Sequence, residues 1–276
     1  MAIKTVLVHL ANDPDWEARL GASQKLAREL SAHLIALYVA HPVHMPAGVE
    51  GRGASFAYLA EATARARIKA SEVEAAVRMS CQESGLSWEW AYGEESHLER
   101  LMEQVHRTDI TVVSQVSIES FEDRLMFQMP EELIMAAGGP VLILPKGHVL
   151  SGFDAPQHIL VAWKPTSQAI RAVRDTLPLL KTSKKVTVMI CESGHTDEHS
   201  HTEILAYLER HGIKAEAHHH HETGHVGEAI LSSADALDVS AIVMGAYGHS
   251  GLRERLFGGP TRYVISHTDV PVIMSH

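Results

Sequence analysis

Short apolar runs alternate with amphipathic stretches along nearly the whole chain. Ile3 to Leu10, His33 to Val39, Ile110 to Val116 and Pro140 to Leu144 are rich in Val, Ile and Leu, Leu86 to Tyr92 carries Trp and Tyr, and each is short enough to be a buried strand. Between them, Asp15 to Leu30, Tyr58 to Ser84, Ser96 to His106 and Pro130 to Ala137 carry apolar residues at helical spacing. Asp13 reads as the N-cap of the first helix, with Pro14 at its first position. The loop from His41 to Phe56 contains Pro and Gly, and the long helix after it ends near Gly85. Alternating strands and helices predict a parallel sheet covered by helices on both faces. Strands without polar alternation fit a sheet buried on both sides.

The pattern then repeats. After a Gly-, Ser- and Pro-containing linker from Gly147 to Gln157, strands are predicted at His158–Trp163, Lys185–Cys191, Ile213–His218, Val239–Met244 and Pro271–Met274. Helices fall at Ser167–Leu180, Ser200–His211, Val226–Ala236 and Pro260–His267. The repeat is as long as a domain, too long for a solenoid. It predicts two tandem α/β domains, residues 1–147 and 157–276. Matching residues support it: Val6-Leu7-Val8 with Leu160-Val161-Ala162, Asp109 with Asp238, Phe127 and Pro130 with Phe257 and Pro260, and Pro140-Val141 with Pro271-Val272.

The two copies part at one loop. Gly245 and Gly248 follow the fourth strand of the second copy, and Gly258 and Gly259 precede its last helix. Glycines let backbone N–H groups approach a ligand, and a helix N-terminus favours anions, so the stretch suits a phosphate. Aligned through Pro130 and Pro260, the same positions in the first copy are Gln115, Ile118, Gln128 and Met129. The first copy has lost every one of these glycines.

Composition narrows the function. Hydrophobic residues make up 45% of the 276, and the formal net charge is −10. That charge argues against a nucleic-acid partner. Two cysteines, Cys81 and Cys191, form no disulfide framework or CxxC motif, which favours a reducing cytoplasm. No apolar run is long enough to cross a membrane, and the start of the chain carries no signal-peptide pattern.

Twenty histidines stand out. His218-His219-His220-His221, with Glu222 and His225, is the densest group, and alternate residues of a strand share a face, so His218 and His220 are candidate metal ligands. His195, His199 and His201 form a second group. A solvated His-rich strand end and loop is the simpler explanation of the run, and no set of metal ligands is assigned. His249-Ser250-Gly251 lies in no nucleophile elbow, and Arg253 and Arg255 are candidates for phosphate contact or a solvated face. No P-loop or catalytic constellation appears.

The spacing Gly-x2-Gly-x9-Gly at Gly245, Gly248 and Gly258, followed by a short helix and the strand Pro271-Val272-Ile273-Met274, resembles the universal stress protein family. Thr5-Val6-Leu7-Val8 and Ile159-Leu160-Val161-Ala162 resemble its first strand. The resemblance covers both halves. It implies five-stranded, Rossmann-like three-layer domains of the adenine nucleotide α-hydrolase type. It also implies a stress-response binding or signalling role without catalysis, a pseudo-dimer formed through the last strands, and the option of a further homodimer. Nucleotide-binding members use the loop glycines, a Ser or Thr after the third glycine, and an acidic residue after the first strand. Here the Ser/Thr position is Gly259, with Thr261 close by, and the acidic position is Lys164 in the second copy and Ala11 in the first. The resemblance therefore implies ATP or AMP at the second copy, held by Gly245, Gly248, Gly258, Gly259, Thr261 and Lys164. The departures keep two other readings open: a scaffold with a degenerate loop, and a His-cluster metal binder.

Overall fold

A computed structural model describes residues 2–40, 52–94, 96–115, 129–147, 157–192, 198–221, 224–248 and 259–276. The first half runs β1 (Thr5–Leu10), α1 (Trp16–Leu30), β2 (His33–Val39), α2 (Arg52–Ser84), β3 (Trp88–Gly93), α3 (His97–Val105), β4 (Ile110–Ser114), α4 (Met129–Ala136) and β5 (Val141–Leu144). The second runs β6 (His158–Trp163), α5 (Ser167–Thr182), β7 (Lys185–Glu192), α6 (Glu198–Arg210), β8 (Ala215–His221), α7 (Val226–Ala236), β9 (Ala241–Gly245), α8 (Pro260–His267) and β10 (Val272–Ser275). The α/β alternation expected from the hydrophobic pattern is present throughout.

The ten strands form one sheet in the order β3-β2-β1-β4-β5-β10-β9-β6-β7-β8. Every pairing within a half is parallel. The two last strands pair antiparallel, with Val272 opposite Ile143, Ile273 opposite Leu142 and Met274 opposite Val141. The two five-stranded units are thus joined edge to edge about a local pseudo-twofold, the arrangement expected from the family resemblance.

Side chains alternate across the strands and divide the core into two layers. Val6, Val8 and Leu10 pack with the buried faces of α1, α2, α5 and α6. Leu7, on the other side of β1, packs with α3, α4, α7 and α8. All five residues of the β9–β10 centre that count most for the join, Ile242, Val243, Val272, Ile273 and Met274, are fully buried. Both layers continue across the β5–β10 seam, so the join buries apolar surface as well as pairing backbone groups.

Several expectations are corrected. Asp13 is not the N-cap of α1. Asp15 holds that position without a side-chain cap bond, while Asp13 Oδ1 accepts the Asp15 N–H (2.9 Å) and Oδ2 accepts from Arg19 Nη2 (2.6 Å). A buried guanidinium has claimed the carboxylate. The long helix starts at Arg52 rather than Tyr58, and it ends where expected, at Gly85, which takes φ +64. The strand expected to stop at His218 extends through His221, so the whole histidine run forms the end of β8. The linker from 148 to 156 lies outside the described residues.

One ion pair ties the halves together beside the seam. Arg262 Nε and Nη2, on α8, donate to the two carboxylate oxygens of Glu131, on α4 (2.8 and 3.0 Å). The Glu131 side chain is almost entirely enclosed, and its carboxylate raises the Arg262 guanidinium further above its ordinary value. Removing one member strands a charge out of water. Arg262→Ala should cost about 1–3 kcal/mol, read as a lower midpoint in urea unfolding, whereas exposed pairs such as Arg65–Glu61 should contribute under about 1 kcal/mol.

His158 provides a pH signature. Its Nδ1 faces the Leu237 carbonyl oxygen (3.1 Å) and so carries the ring proton, which leaves Nε2 to accept from the Thr187 hydroxyl (2.8 Å). Burial, reinforced by the Lys185 ammonium, lowers its pKa. The unfolded chain therefore takes the proton first as pH falls. The His158 contribution is complete above about pH 6.5 and is lost as pH falls through that value toward the lower folded one. Urea unfolding from about pH 7 to 5 should show a shallower loss of stability in His158→Gln than in the native chain.

Candidate functional site

In a sheet ordered 3-2-1-4-5, adjacent crossovers leave in opposite directions between the first and fourth strands. A crevice opens there, beyond the carboxyl ends of the strands, and ligands of such folds bind in it. The chain has two of these switch points, between β1 and β4 and between β6 and β9.

At the second, β6 ends at Trp163, and Lys164 follows as an exposed cation. Lys164 O accepts the Thr166 N–H (2.7 Å), and Thr166 caps α5 by accepting from Ala169 N (3.3 Å). β9 ends at Gly245, directly against this capped turn. A Cβ on Gly245 would lie 2.4 Å from Ala169 N and 2.6 Å from the Gln168 carbonyl carbon. Gly245 is thus required by close helix–strand packing, a different reason from the ligand contact inferred from the sequence. Gly248 is different again. Its Cβ would meet only the Gln168 and Thr166 side chains, at 3.6 Å or more, and its φ lies outside the left-handed region. Among the described residues nothing demands glycine there, and the α5 N-terminus meets no side chain from this position.

Between the two glycines, Tyr247 takes φ +56, a conformation rare for a residue with a Cβ. Its N–H donates to Thr261 Oγ1 (3.2 Å). Thr261 is 3% exposed, so its hydroxyl oxygen pins the start of the loop to α8 instead of facing solvent. Gly259 is the N-cap of α8, with φ −62, and supplies no capping side chain. Pro260 follows at the first helical position. The first free amides of α8 accordingly have no side-chain acceptor from the cap residue. Gly258, Arg253, Arg255 and His249-Ser250-Gly251 lie outside the described residues.

Other polar groups gather near this end of β6 and β10. The indole N–H of Trp163 is buried and has no hydrogen-bond partner among the described residues. Ser275 Oγ donates to Asp175 Oδ2 (2.8 Å), and Arg171 lies close; burial nonetheless pushes the Asp175 carboxyl up.

The first switch point is filled. Arg19, 2% exposed, reaches across it from α1. Its Nη1 donates to Ser114 Oγ (2.6 Å) at the end of β4, its Nη2 to Asp13, and its Nε to the His9 carbonyl at 2.5 Å. His9 Nε2 in turn meets His97 Nδ1 at 2.7 Å, and both rings are buried. Strand register places Ser114, not Gln115, opposite the position of Gly245. Val6 pairs with Ile110 and Ile159 with Ala241, and Ser114 pairs with Leu144 as Gly245 does with Ser275. The alignment through the prolines is one residue out at this point. The sequence did hold a signal for this cluster: His9 interrupts the apolar strand Thr5–Leu10, and Arg19 interrupts the buried face of α1.

The histidine run is placed on an edge strand. His218 and His220 are half-buried on one face, with His220 Nδ1 3.4 Å from Ser233 Oγ of α7, and His219 is exposed. Among the described residues no group of three His, Cys, Asp or Glu side chains is placed to hold a metal ion. His195, and the side chains of His199 and His201, lie outside the described residues. A groove of about 490 Å3 lined by Lys4, Arg28, Ser31, His33 and Ser87 sits at the amino ends of the strands, away from both switch points.

Comparison with known proteins now bears on this geometry. Residues 192–276, which contain β8, α7, β9, the glycine loop, α8 and β10, match the profile of the universal stress protein family. This segment is thus similar in sequence to universal stress proteins. Over its whole length the chain is similar in fold to a universal stress protein from Archaeoglobus fulgidus, with a TM-score of 0.74 at 17% identity, covering 97% of this chain and 94% of that one. It is also similar to a protein of unknown function from Pseudomonas aeruginosa, with a TM-score of 0.56 at 18% identity, covering 99% and 92%. At these identities the likeness is one of fold, and it extends over both halves of the chain. A comparison with curated proteins gives no match. Among the described residues no helix is long and apolar enough to cross a membrane.

The two glycines of the matched segment should separate experimentally. Gly245→Ala forces the backbone of α5 away and should cost about 2–3 kcal/mol, with a melting temperature several degrees lower. Gly248→Ala should change stability by less than about 0.5 kcal/mol. Differential scanning calorimetry of the two variants measures the contrast.

Proposed function

We propose that the second half of the chain, residues 157–276, is an adenine-nucleotide-binding module for ATP or AMP, and that the first half, residues 1–147, is its structural partner. The observation that carries this reading is the contrast between the two switch points. One is filled by the Arg19 guanidinium, and at the other Gly248 adds no side chain beside the capped α5 N-terminus and the exposed Lys164 cation. In this reading the α5 and α8 N-termini and Lys164 attract the phosphates. Gly248 and Gly259 add no side chains to the approach, and Gly258 completes the glycine spacing in the sequence. The buried indole N–H of Trp163 is a donor for the nucleoside end. Gly245 and Thr261 act indirectly, by fixing the loop against α5 and α8. The activity is binding and signalling in the cytoplasm under stress, without catalysis, and nucleotide occupancy would alter the surface of the long loop between Gly248 and Gly259.

A scaffold reading has its own support. Packing alone accounts for Gly245, and Thr261 spends its acceptor oxygen on Tyr247. Equilibrium dialysis and thermal shift with ATP and with AMP separate the two. The nucleotide reading expects saturable binding and, at a ligand concentration one hundred times Kd, a stabilisation of about 2.7 kcal/mol. It also expects Gly248→Val to abolish binding while leaving the unliganded melting temperature in place, and Lys164→Glu to weaken it. Absence of binding by either nucleotide at millimolar concentration favours the scaffold.

A further inference from the structure

Two histidines of the first half face each other inside the protein. His9, 1% exposed, lies on β1 on the same side as Leu7, and strand register sets it beside Leu37 of β2. His97, 7% exposed, is the first residue of α3. His9 Nε2 and His97 Nδ1 are 2.7 Å apart. Two imidazole nitrogens at this distance hold a single proton between them: one ring donates it and the other accepts with its lone pair. His97, Leu101 and Val105 are the buried positions of α3. The histidine pair therefore docks the amino end of that helix on β1, and the two apolar side chains dock the rest.

The contact exists in one protonation state. A second proton occupies the accepting lone pair, sets two N–H groups against each other and leaves at least one imidazolium out of water. The neighbours oppose that cation. From α1, Arg19 donates to the His9 carbonyl, which brings a like charge to the same strand residue. Its counter-ion Asp13 is engaged by both terminal nitrogens of the guanidinium (3.4 and 2.6 Å). Within α3, His97 stands at the helix N-terminus, the positive end of the dipole, and Glu99 of that turn is exposed. From α4, the Glu131 carboxylate is turned to Arg262. β2, β4 and α4 contribute Leu37, Val39, Val113, Met129 and Leu133 to the same layer, all apolar.

We propose that the His9–His97 pair is an acid-released bolt, which holds α3 against β1 at neutral pH and lets the helix go when the pair takes up further protons. Undocked rings in water protonate below about pH 6.5. The docked pair cannot follow without breaking its hydrogen bond, so falling pH favours undocking. The bolt is built on the residue whose carbonyl Arg19 holds, so release of α3 reaches the filled switch point of the first half. The half without the glycine loop thereby gains a response to protons. That response needs no nucleotide and does not rest on the nucleotide reading.

Hydrogen exchange of the full chain, read by mass spectrometry and corrected for the intrinsic pH dependence of exchange, tests the bolt. A His158→Gln background removes the acid response of His158. Between about pH 7.5 and about pH 5.5, residues 97–105 should lose protection about tenfold or more, the factor for one extra proton taken up. Over the same range α5, which contains no histidine, should keep its protection. His9→Leu combined with His97→Leu removes donor and acceptor together and should make α3 protection independent of pH. If that pair of substitutions prevents folding, ring-nitrogen NMR shifts of the native chain give the same reading. Both rings should stay uncharged while α3 is protected and gain protons only as it opens. Protection of α3 that holds through the acid range overturns the proposal. So does an equal acid loss in the doubly substituted chain, or rings that charge while α3 stays docked.

Discussion

The pairing of β5 with β10 is the constraint on which the rest of the molecule depends. Each half is a parallel unit with an apolar last strand, and such a strand left at an edge exposes both apolar side chains and unpaired backbone groups. Pairing the two last strands removes both exposures at once. The antiparallel register of Val272 with Ile143 and Met274 with Val141 gives one sheet and two continuous core layers. The outer edges of the joined sheet, β3 and β8, carry Glu89 and the histidine run, polar and titratable residues of the kind that discourage further edge pairing. The Arg262–Glu131 pair, just off the seam, fixes α8 against α4 and so connects the last helix of the second half to the first half.

Duplication also lets one fold treat the same position in two ways. At the carboxyl end of the fourth strand the first half has Ser114 and the second Gly245. The serine has room for its side chain and uses it to hold Arg19, which in turn fixes Asp13 and the His9 carbonyl. The glycine has no room for any side chain, because α5 approaches to within contact of its backbone. One switch point is therefore filled by the Arg19–Asp13 ion pair, and at the other a capped helix terminus lies against Gly245. The difference between the halves is a difference of local packing on an otherwise common architecture.

Much of the fold was legible in the sequence because its signals are local. Strands buried on both faces read as plain apolar runs, and β2, β6 and α7 fall at the residues predicted. What was not legible depended on contacts distant in sequence. Asp13 looks like a helix cap until Arg19 claims it. The correct register at Ser114 is hidden because a one-residue difference lies between β4 and Pro130. The strand through His221 escapes a hydrophobicity reading, since its histidines lie on an edge. In the site, Gly245 and Gly248 look alike in a motif, yet one answers to packing and the other leaves space. Thr261, chosen for its hydroxyl, is engaged with Tyr247. The polar cluster of His9, His97 and Arg19 shows in sequence only as isolated interruptions of apolar patterns, and its assembly needs three separate elements.

The central claim is that the two halves are unequal, with one open site and one closed. The most direct measurement is the number of adenine nucleotides held per chain, by native mass spectrometry of the full-length protein with ATP or AMP in excess. The account predicts one nucleotide per chain. Two per chain, or none, would contradict it.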